Sequence, residues 1–157
     1  MPYLIDGNNL THALGKADGP SDRSGLCALL AEFGQGRHSV CVVFDGPAPS
    51  PAAVQQMTPE GLEIVFAGRR KADDVICERI AACTAPRRLN VVSSDREIRR
   101  AARRRRCGST TSEEFVLVLY RAARSQARRR PSEPPEKRRG LGPGQVEKWL
   151  REFGLED

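Results

Sequence analysis

No apolar stretch among the 157 residues approaches the ~18 consecutive apolar positions a membrane-spanning helix needs. Met1-Pro2-Tyr3 leads straight into a strand-like run, without the basic and apolar regions of a signal peptide. Both absences set the expectation of a cytoplasmic protein with no membrane partner. Histidine occurs only at His12 and His38, so a metal-free two-histidine acid/base mechanism would have to gather both into one site. The five cysteines, Cys27, Cys41, Cys77, Cys83 and Cys107, are odd in number and form no C-x-x-C pair or Cys/His cluster at zinc spacing. They read as small buried hydrophobes. There is no G-x-x-x-x-G-K-[ST] loop, no G-x-G-x-x-G after the first strand-like run and no G-x-S-x-G elbow. Nucleotide-cofactor folds and serine-elbow hydrolases therefore lose support.

Charge is abundant but unevenly placed. Residues 1 to 95 hold nine Lys/Arg against eleven Asp/Glu, residues 96 to 139 fifteen against five, and residues 140 to 157 two against four. The net charge of +6 thus comes from one stretch. A basic block is often only a solvated face or tail, but beside a cluster of carboxylates it also suits a polyanionic substrate, with nucleic acid the first candidate.

A chain of this length makes one domain with room for an appendage. Tyr3 to Ile5, Ser39 to Phe44, Glu63 to Phe66 and Leu89 to Ser93 read as short buried strands. Between them, Asp22 opens a helix pattern carrying Leu26, Leu29, Leu30 and Phe33 and ending near Gly34. Ala72 to Cys83 carries Val75, Ile76, Ile80 and Cys83 on one face. The alternation predicts an α/β fold, a parallel sheet with helices on both sides. Ser94-x-x-Glu97 and Thr111-x-x-Glu114 have the form of capping boxes, and the second favours helix over strand for the apolar run Phe115 to Tyr120.

From about Ser125 the composition turns to Arg, Pro, Glu, Lys and Gly, which predicts a domain over residues 1–125 followed by a basic linker over 126–143. Val146, Trp149, Leu150 and Phe153 then recur at helical spacing before Gly154, so residues 144–157 read as an amphipathic helix. Such a helix can fold back on its own domain or dock on a second copy or a partner.

Four acidic positions carry the chemistry. Asp6 ends the first strand-like run, Asp45 follows the second, Asp73-Asp74 open a helix pattern, and Asp95 follows the fourth strand-like run. In an open α/β sheet these places converge outside the carboxyl ends of the strands. Like charges held together cost free energy, so such a cluster points to a site that takes a cation. Carboxylates from separate elements suit Mg²⁺ or Mn²⁺, which keep coordination positions for water and phosphate. Two such ions about 3.5 to 4 Å apart can activate a water and stabilise the leaving oxygen of a phosphodiester.

Asp6-Gly7 and Asp45-Gly46 also read as ordinary turns, and Asp95 as a helix start whose capping hydroxyl comes from Ser94. Helix geometry separates the paired acids. At 100° per residue, Asp73 lies about 60° from the apolar face of its helix and Asp74 about 160°, so Asp73 should point along the sheet edge and Asp74 into solvent. The metal candidates are therefore Asp6, Asp73 and Asp95, with Asp45 and Asp74 supporting metal or water. Asn8 and Asn9 add two polar groups after Asp6 where an apolar helix face would normally begin. Arg69, Arg70 and Lys71 precede the paired acids, while Arg96, Arg99, Arg100, Arg103 and Arg106 recur at helical spacing with Ile98, Ala101 and Ala102 left for the sheet. These cations read as phosphate contacts. His12, six residues after Asp6, reads as a surface histidine, and His38 as incidental to the start of its strand.

Ile5-Asp6-Gly7-Asn8-Asn9, Val43-Phe44-Asp45-Gly46, Ala72-Asp73 and Ser93-Ser94-Asp95 together resemble the motifs of the NYN domain, a branch of the PIN-like nucleases, and most closely its YacP-like family. The resemblance covers roughly residues 1 to 125. It implies a PIN-like Rossmannoid fold, divalent-metal-dependent endoribonuclease activity, and association with ribosomes or translated messenger RNA. By that likeness Asp6, Asp73 and Asp95 match the acidic metal positions, Asn8 a polar position beside the metal, and Asp74 a second acid. Arg69-Arg70-Lys71 departs from the acidic or threonine-rich stretch frequent there, and the linker and terminal helix lie outside the likeness. A catalytically silent RNA- or ribosome-binding module is the competing class, and single-stranded DNA the lesser substrate.

Overall fold

The valine-rich run Ser39–Phe44 forms the second strand of a five-stranded parallel sheet in a computed structural model that describes residues 2–58 and 61–129. In chain order the elements are β1 (Pro2–Asp6), α1 (Gly7–Lys16), α2 (Arg23–Gly34), β2 (Ser39–Phe44), α3 (Pro51–Met57), β3 (Leu62–Phe66), α4 (Ala72–Ala82), a 3-10 turn (Pro86–Arg88), β4 (Asn90–Val92), α5 (Arg96–Arg104), β5 (Gly108–Thr110) and α6 (Ser112–Arg129). The sheet order is β3-β2-β1-β4-β5. The chain builds outward from β1 to β3, then crosses back over β1 to begin β4. Strand order reverses there, and the crevice between the carboxyl ends of β1 and β4 is where such sheets bind ligands.

Strand alternation decides what each face carries. Ile5, Val40, Val42, Phe44 and Val92 point to one side and pack with Leu10, Leu14, Leu26, Leu30, Phe33, Phe115, Leu119 and Tyr120 from α1, α2 and α6. Leu4, Val43 and Val91 point to the other and pack with Ala72, Ile76, Ile80, Ile98 and Ala102 from α4 and α5. Asp6 shares the parity of Leu4, Asp45 that of Val43, and Ser93 that of Val91. The pattern that buries the core thus turns these polar groups toward the α4/α5 layer.

Two local features hold this geometry. A side chain at Gly7 would place its Cβ 2.5 Å from two ring atoms of Phe44, so only glycine lets α1 leave β1 this closely. Gly46 and Gly68, at φ of 85° and 68°, pair in an isolated antiparallel bridge that closes the loops beyond β2 and β3.

The α/β class and parallel sheet agree with the sequence reading, as do the four strands, within one residue at either end. The periodicity did not carry α1, α3 or β5. Gly108, Ser109 and Thr110 offer no apolar side chain, and β5 exists because Gly108, Ser109 and Thr110 pair with Asn90, Val91 and Val92. The Thr111 box is reciprocal: Glu114 N donates to Thr111 Oγ1 and Thr111 N to Glu114 Oε2, both at 3.1 Å. The Ser94 box is not formed. Asp95 caps α5 instead, its Oδ1 accepting from Glu97 N at 2.9 Å and Ile98 N at 3.2 Å. Ser94 is drawn to α6, where its hydroxyl accepts from Ser112 N and donates to Glu113.

Two boundaries also move. Helix α6 runs through Arg129, past the domain edge at 125, because Ala122 still packs on the core and Gln126 Nε2 donates to Glu32 O of α2 at 3.0 Å. Arg106 leaves the arginine stripe, since α5 ends before it and its own φ is 62°. The rest of the linker and the terminal helix, with Val146, Trp149, Leu150 and Phe153, lie outside the described residues.

Candidate functional site

Asp6 is the last residue of the central strand and the cap of α1, only 5% exposed. Pairing of Ile5 with Val92 sets it beside Ser93, whose buried hydroxyl donates to Asp6 Oδ2 at 3.0 Å, while Asn9 N donates to Oδ1 at 3.4 Å. Burial pushes the Asp6 carboxyl from 3.8 up to about 6, offset in part by these two hydrogen bonds and reinforced by the charges of Asp73 and Asp45.

Asp73 stands half-buried in the first turn of α4, and Asp74 beside it is exposed, as the helical angles require. Partial burial raises the Asp73 pKa, and the charges of Asp95, Asp45 and Asp74 raise it further against the opposing Lys71. Asp6, Asp45, Asp73 and Asp95 therefore share one electrostatic field at the sheet's carboxyl edge. Asp45 is exposed and also acts as a brace. Its Oδ1 accepts from Ala72 N at 2.8 Å, fixing the start of α4 and so Asp73, and its Oδ2 accepts from Asn8 Nδ2 at 2.7 Å. Asn8 thus meets Asp45.

The sequence reading noted Asn9 as an added polar group and Ser93-Ser94 as part of a motif but gave none of them the bracing role they have. Asn9 Oδ1 accepts from Ser94 N at 3.0 Å and from the Ser112 hydroxyl, joining α1, the end of β4 and the start of α6. Ser93 Oγ also accepts from Asp95 N at 3.1 Å, so one buried serine touches both Asp6 and Asp95. Glu113 adds an acid at the rim, its pKa lowered by the Ser94 hydroxyl and by the charges of Lys16 and His12. The signal available in sequence was the pair of serines at a strand end, polar residues where a buried strand should stay apolar.

Of the cations, Arg69, Lys71, Arg96, Arg100 and Arg103 are exposed and Arg99 is half-buried on α5. Arg70 pairs with Glu78 at 2.6 Å, an exposed contact that holds it weakly. His12 is exposed, and His38 stacks on Phe33 with centroids 4.7 Å apart, on the opposite helical layer from the carboxylates. Burial raises the thiols of Cys27 and Cys41 to about 11 and about 12, so neither is a nucleophile at neutral pH.

Among the described residues no three His, Cys, Asp or Glu side chains converge on one point. The donors are nevertheless hard oxygens drawn from separate elements, the set that suits a cation held by one or two carboxylates with water completing its shell. Among the described residues no helix is long and apolar enough to cross a membrane.

A family model described as the YacP-like NYN domain matches residues 3–151, so the likeness continues past residue 125. The crystal structure of Rae1 (YacP) from Bacillus subtilis is similar in fold, with a TM-score of 0.66 at 21% identity over 98% of this chain and 92% of that one. A point mutant of the same protein gives 0.63 at 22% identity over 99% and 98%. No curated protein matches the chain.

Proposed function

Because the chain belongs to the YacP-like NYN domain family, we propose that it is a divalent-metal-dependent endoribonuclease that hydrolyses phosphodiester bonds at the carboxyl edge of its sheet. The observation that carries this reading is Asp6, buried at the end of the central strand within the fields of Asp73 and Asp45. A carboxylate kept there against its own desolvation and two like charges serves a cation better than it serves the fold.

Asp6, Asp73 and Asp95 would hold Mg²⁺ or Mn²⁺, with Asp74 at the exposed side. When bound, the cation supplies a water of lowered pKa and neutralises charge on the phosphate. The chain's own residues set the stage. Ser93 orients Asp6 through Oδ2 and receives Asp95 N, which keeps two carboxylates in fixed relation. Asp45 ties Asn8 to the first turn of α4, so the polar group beside Asp6 and the helix bearing Asp73 move together. Asp6 must be ionised to take a cation, which its pKa of about 6 allows at neutral pH. Arg96, Arg99, Arg100 and Arg103 along α5, with Arg69, Arg70 and Lys71 at the start of α4, bind phosphates flanking the cut.

The test is cleavage of labelled single-stranded RNA, free and ribosome-bound, with Mg²⁺, Mn²⁺ or EDTA. Cleavage should appear only with a divalent ion and fall by about a hundredfold or more in Asp6→Asn and Asp73→Asn, with circular dichroism unchanged. Matched DNA strands should be cut more slowly. Charge reversal at Arg99 and Arg103 should lower the salt slope of RNA binding by roughly 0.7 per lost phosphate contact. The competing reading is a catalytically silent RNA- or ribosome-binding module that keeps the fold and the basic face of α5. RNA bound but left uncut under every divalent ion, on or off ribosomes, would establish that module instead.

A further inference from the structure

A groove of about 630 Å³ lies between α1 and the segment leading into α2, lined by Asn8, Thr11, His12, Lys16, Ser21 and Arg23, with Asp22 and Gly15 completing the wall. It is on the α1/α2 layer, across the sheet from the arginines of α5. Two of its residues reach the carboxylate site directly. Asn8 donates to Asp45 Oδ2, and Arg23 Nη2 donates to Asp45 O at 2.9 Å. Arg23 is held half-buried by its guanidinium lying 5.0 Å from the Phe44 ring centroid and 5.8 Å from that of Phe66. Lys16 and His12 stand exposed on α1, eight and four residues beyond Asn8, so the groove leads about 12 Å away from the site.

From this geometry we infer that the groove is a second arm of the nucleic-acid path, holding the single-stranded RNA that continues beyond the scissile phosphate after it crosses the sheet edge. The inference rests on the nuclease reading for the direction of the strand and deepens it by adding a site on the opposite face. Lys16 and Arg23 take phosphates. Arg23 does so from a fixed position, since one of its nitrogens is spent on Asp45 O and its guanidinium lies over two rings. The Thr11 and Ser21 hydroxyls stand where ribose hydroxyls pass, Thr11 Oγ1 already donating to Gly7 O at 2.7 Å and so presenting lone pairs as an acceptor. No aromatic ring other than His12 lines the groove, so it reads backbone and sugar and leaves base sequence unread. Asp22 is its single lining carboxylate, set against Lys16, Arg23 and His12 in the same lining. Glu113, whose carboxylate feels the charges of Lys16 and His12, stands outside the lining and accepts from the Ser94 hydroxyl.

The experiment measures binding of a fluorescein-labelled single-stranded oligoribonucleotide to the full chain in EDTA, so that affinity is read without cleavage. Lys16→Glu and Ser21→Glu, both at exposed positions, should each weaken binding, and Lys16→Glu should lower the salt slope by roughly 0.7. A photo-crosslinking amino acid at Thr11 should capture the RNA, and the same group at exposed Gln55 should not. Unchanged affinity and slope in both charge variants, no capture at Thr11, or a wild-type protein that binds no RNA would each overturn the assignment. A chain that binds through Lys16 but never cuts keeps the groove and loses the nuclease. One that cuts with Mn²⁺ while both charge variants bind normally does the reverse.

Discussion

The two helical layers bury different things. The α1/α2/α6 layer closes over Phe33, Phe44, Phe115 and Tyr120, while the α4/α5 layer is built from Leu, Val, Ile, Ala and Cys107 with no aromatic ring among its buried residues. Helix α5 buries only Ile98 and Ala102. Yet the thin layer supplies Asp73, Asp95 and the arginine face. Large rings give the first layer its hold on the sheet, and hydrogen bonds at helix starts position the second: Asp45 on Ala72 N, Asp95 on its own first turn, Ser93 on Asp95 N. Anchoring and chemistry are thus divided between the faces, and Asp6 at the sheet edge belongs to both.

Breaking the anchoring face should produce the largest loss of stability. Phe115→Ala is expected to lower the unfolding free energy by about 3 to 5 kcal/mol in a denaturant titration, whereas Ile98→Val on the thin face should cost about 0.5 to 1.5 kcal/mol. Equal losses would mean that the layers anchor alike, and the comparison would fail.

Asp6 sharpens it next, because function and stability should move in opposite directions. Its folded pKa of about 6 lies above the ordinary 3.8, so between those values the native state holds a proton the unfolded chain has released. Stability attributable to Asp6 therefore falls as pH rises from about 4 to about 6 and stays low above that, by at most about 3 kcal/mol. Asp6→Asn should raise the thermal midpoint at pH 7.5 and flatten that pH window while removing cleavage. Saturating Mg²⁺ or Mn²⁺ should stabilise the native protein and have little effect on Asp6→Asn. A thermal midpoint lowered by Asp6→Asn would show that the carboxylate belongs to the fold.

The smallest effect is expected at a cap on the anchored face. Thr111→Ala removes one half of the reciprocal box and should cost about 1 kcal/mol, with faster amide exchange confined to the first turn of α6. A larger loss spread over the helix would mean that the cap, and not Phe115, Val116, Leu119 and Tyr120, holds α6 in place.

The strands, the parallel sheet and the helices with apolar stripes are legible in sequence because short Val/Ile/Leu runs and 3.6-residue spacing each have one cheap way to be buried. So is the separation of Asp73 from Asp74, which follows from turn angle alone. Elements whose residues carry little apolar signal are not legible: α1 opens with Gly7-Asn8-Asn9, and β5 is Gly108–Thr110. The Ser94 cap misleads for a related reason. Local pattern offers Ser94 and Asp95 equally as caps, and the choice falls to Asp95 because α6 places Ser112 and Glu113 within reach of the Ser94 hydroxyl.

By itself, then, the sequence determined that the acids fall at strand ends and helix starts and that the arginines of α5 share a face, since both are matters of spacing along one chain. Tertiary structure alone decided which of those acids is buried and which is a brace. Asp6 and Asp45 each precede a glycine where a strand ends, and both strands are flanked on either side, but Asp6 is the last paired residue of β1 and sits buried beside Ser93, whereas Asp45 lies one residue past β2, reaches Ala72 N and Asn8, and stays exposed. Desolvation depends on what other strands and helices bring alongside, and no stretch of local sequence encodes it.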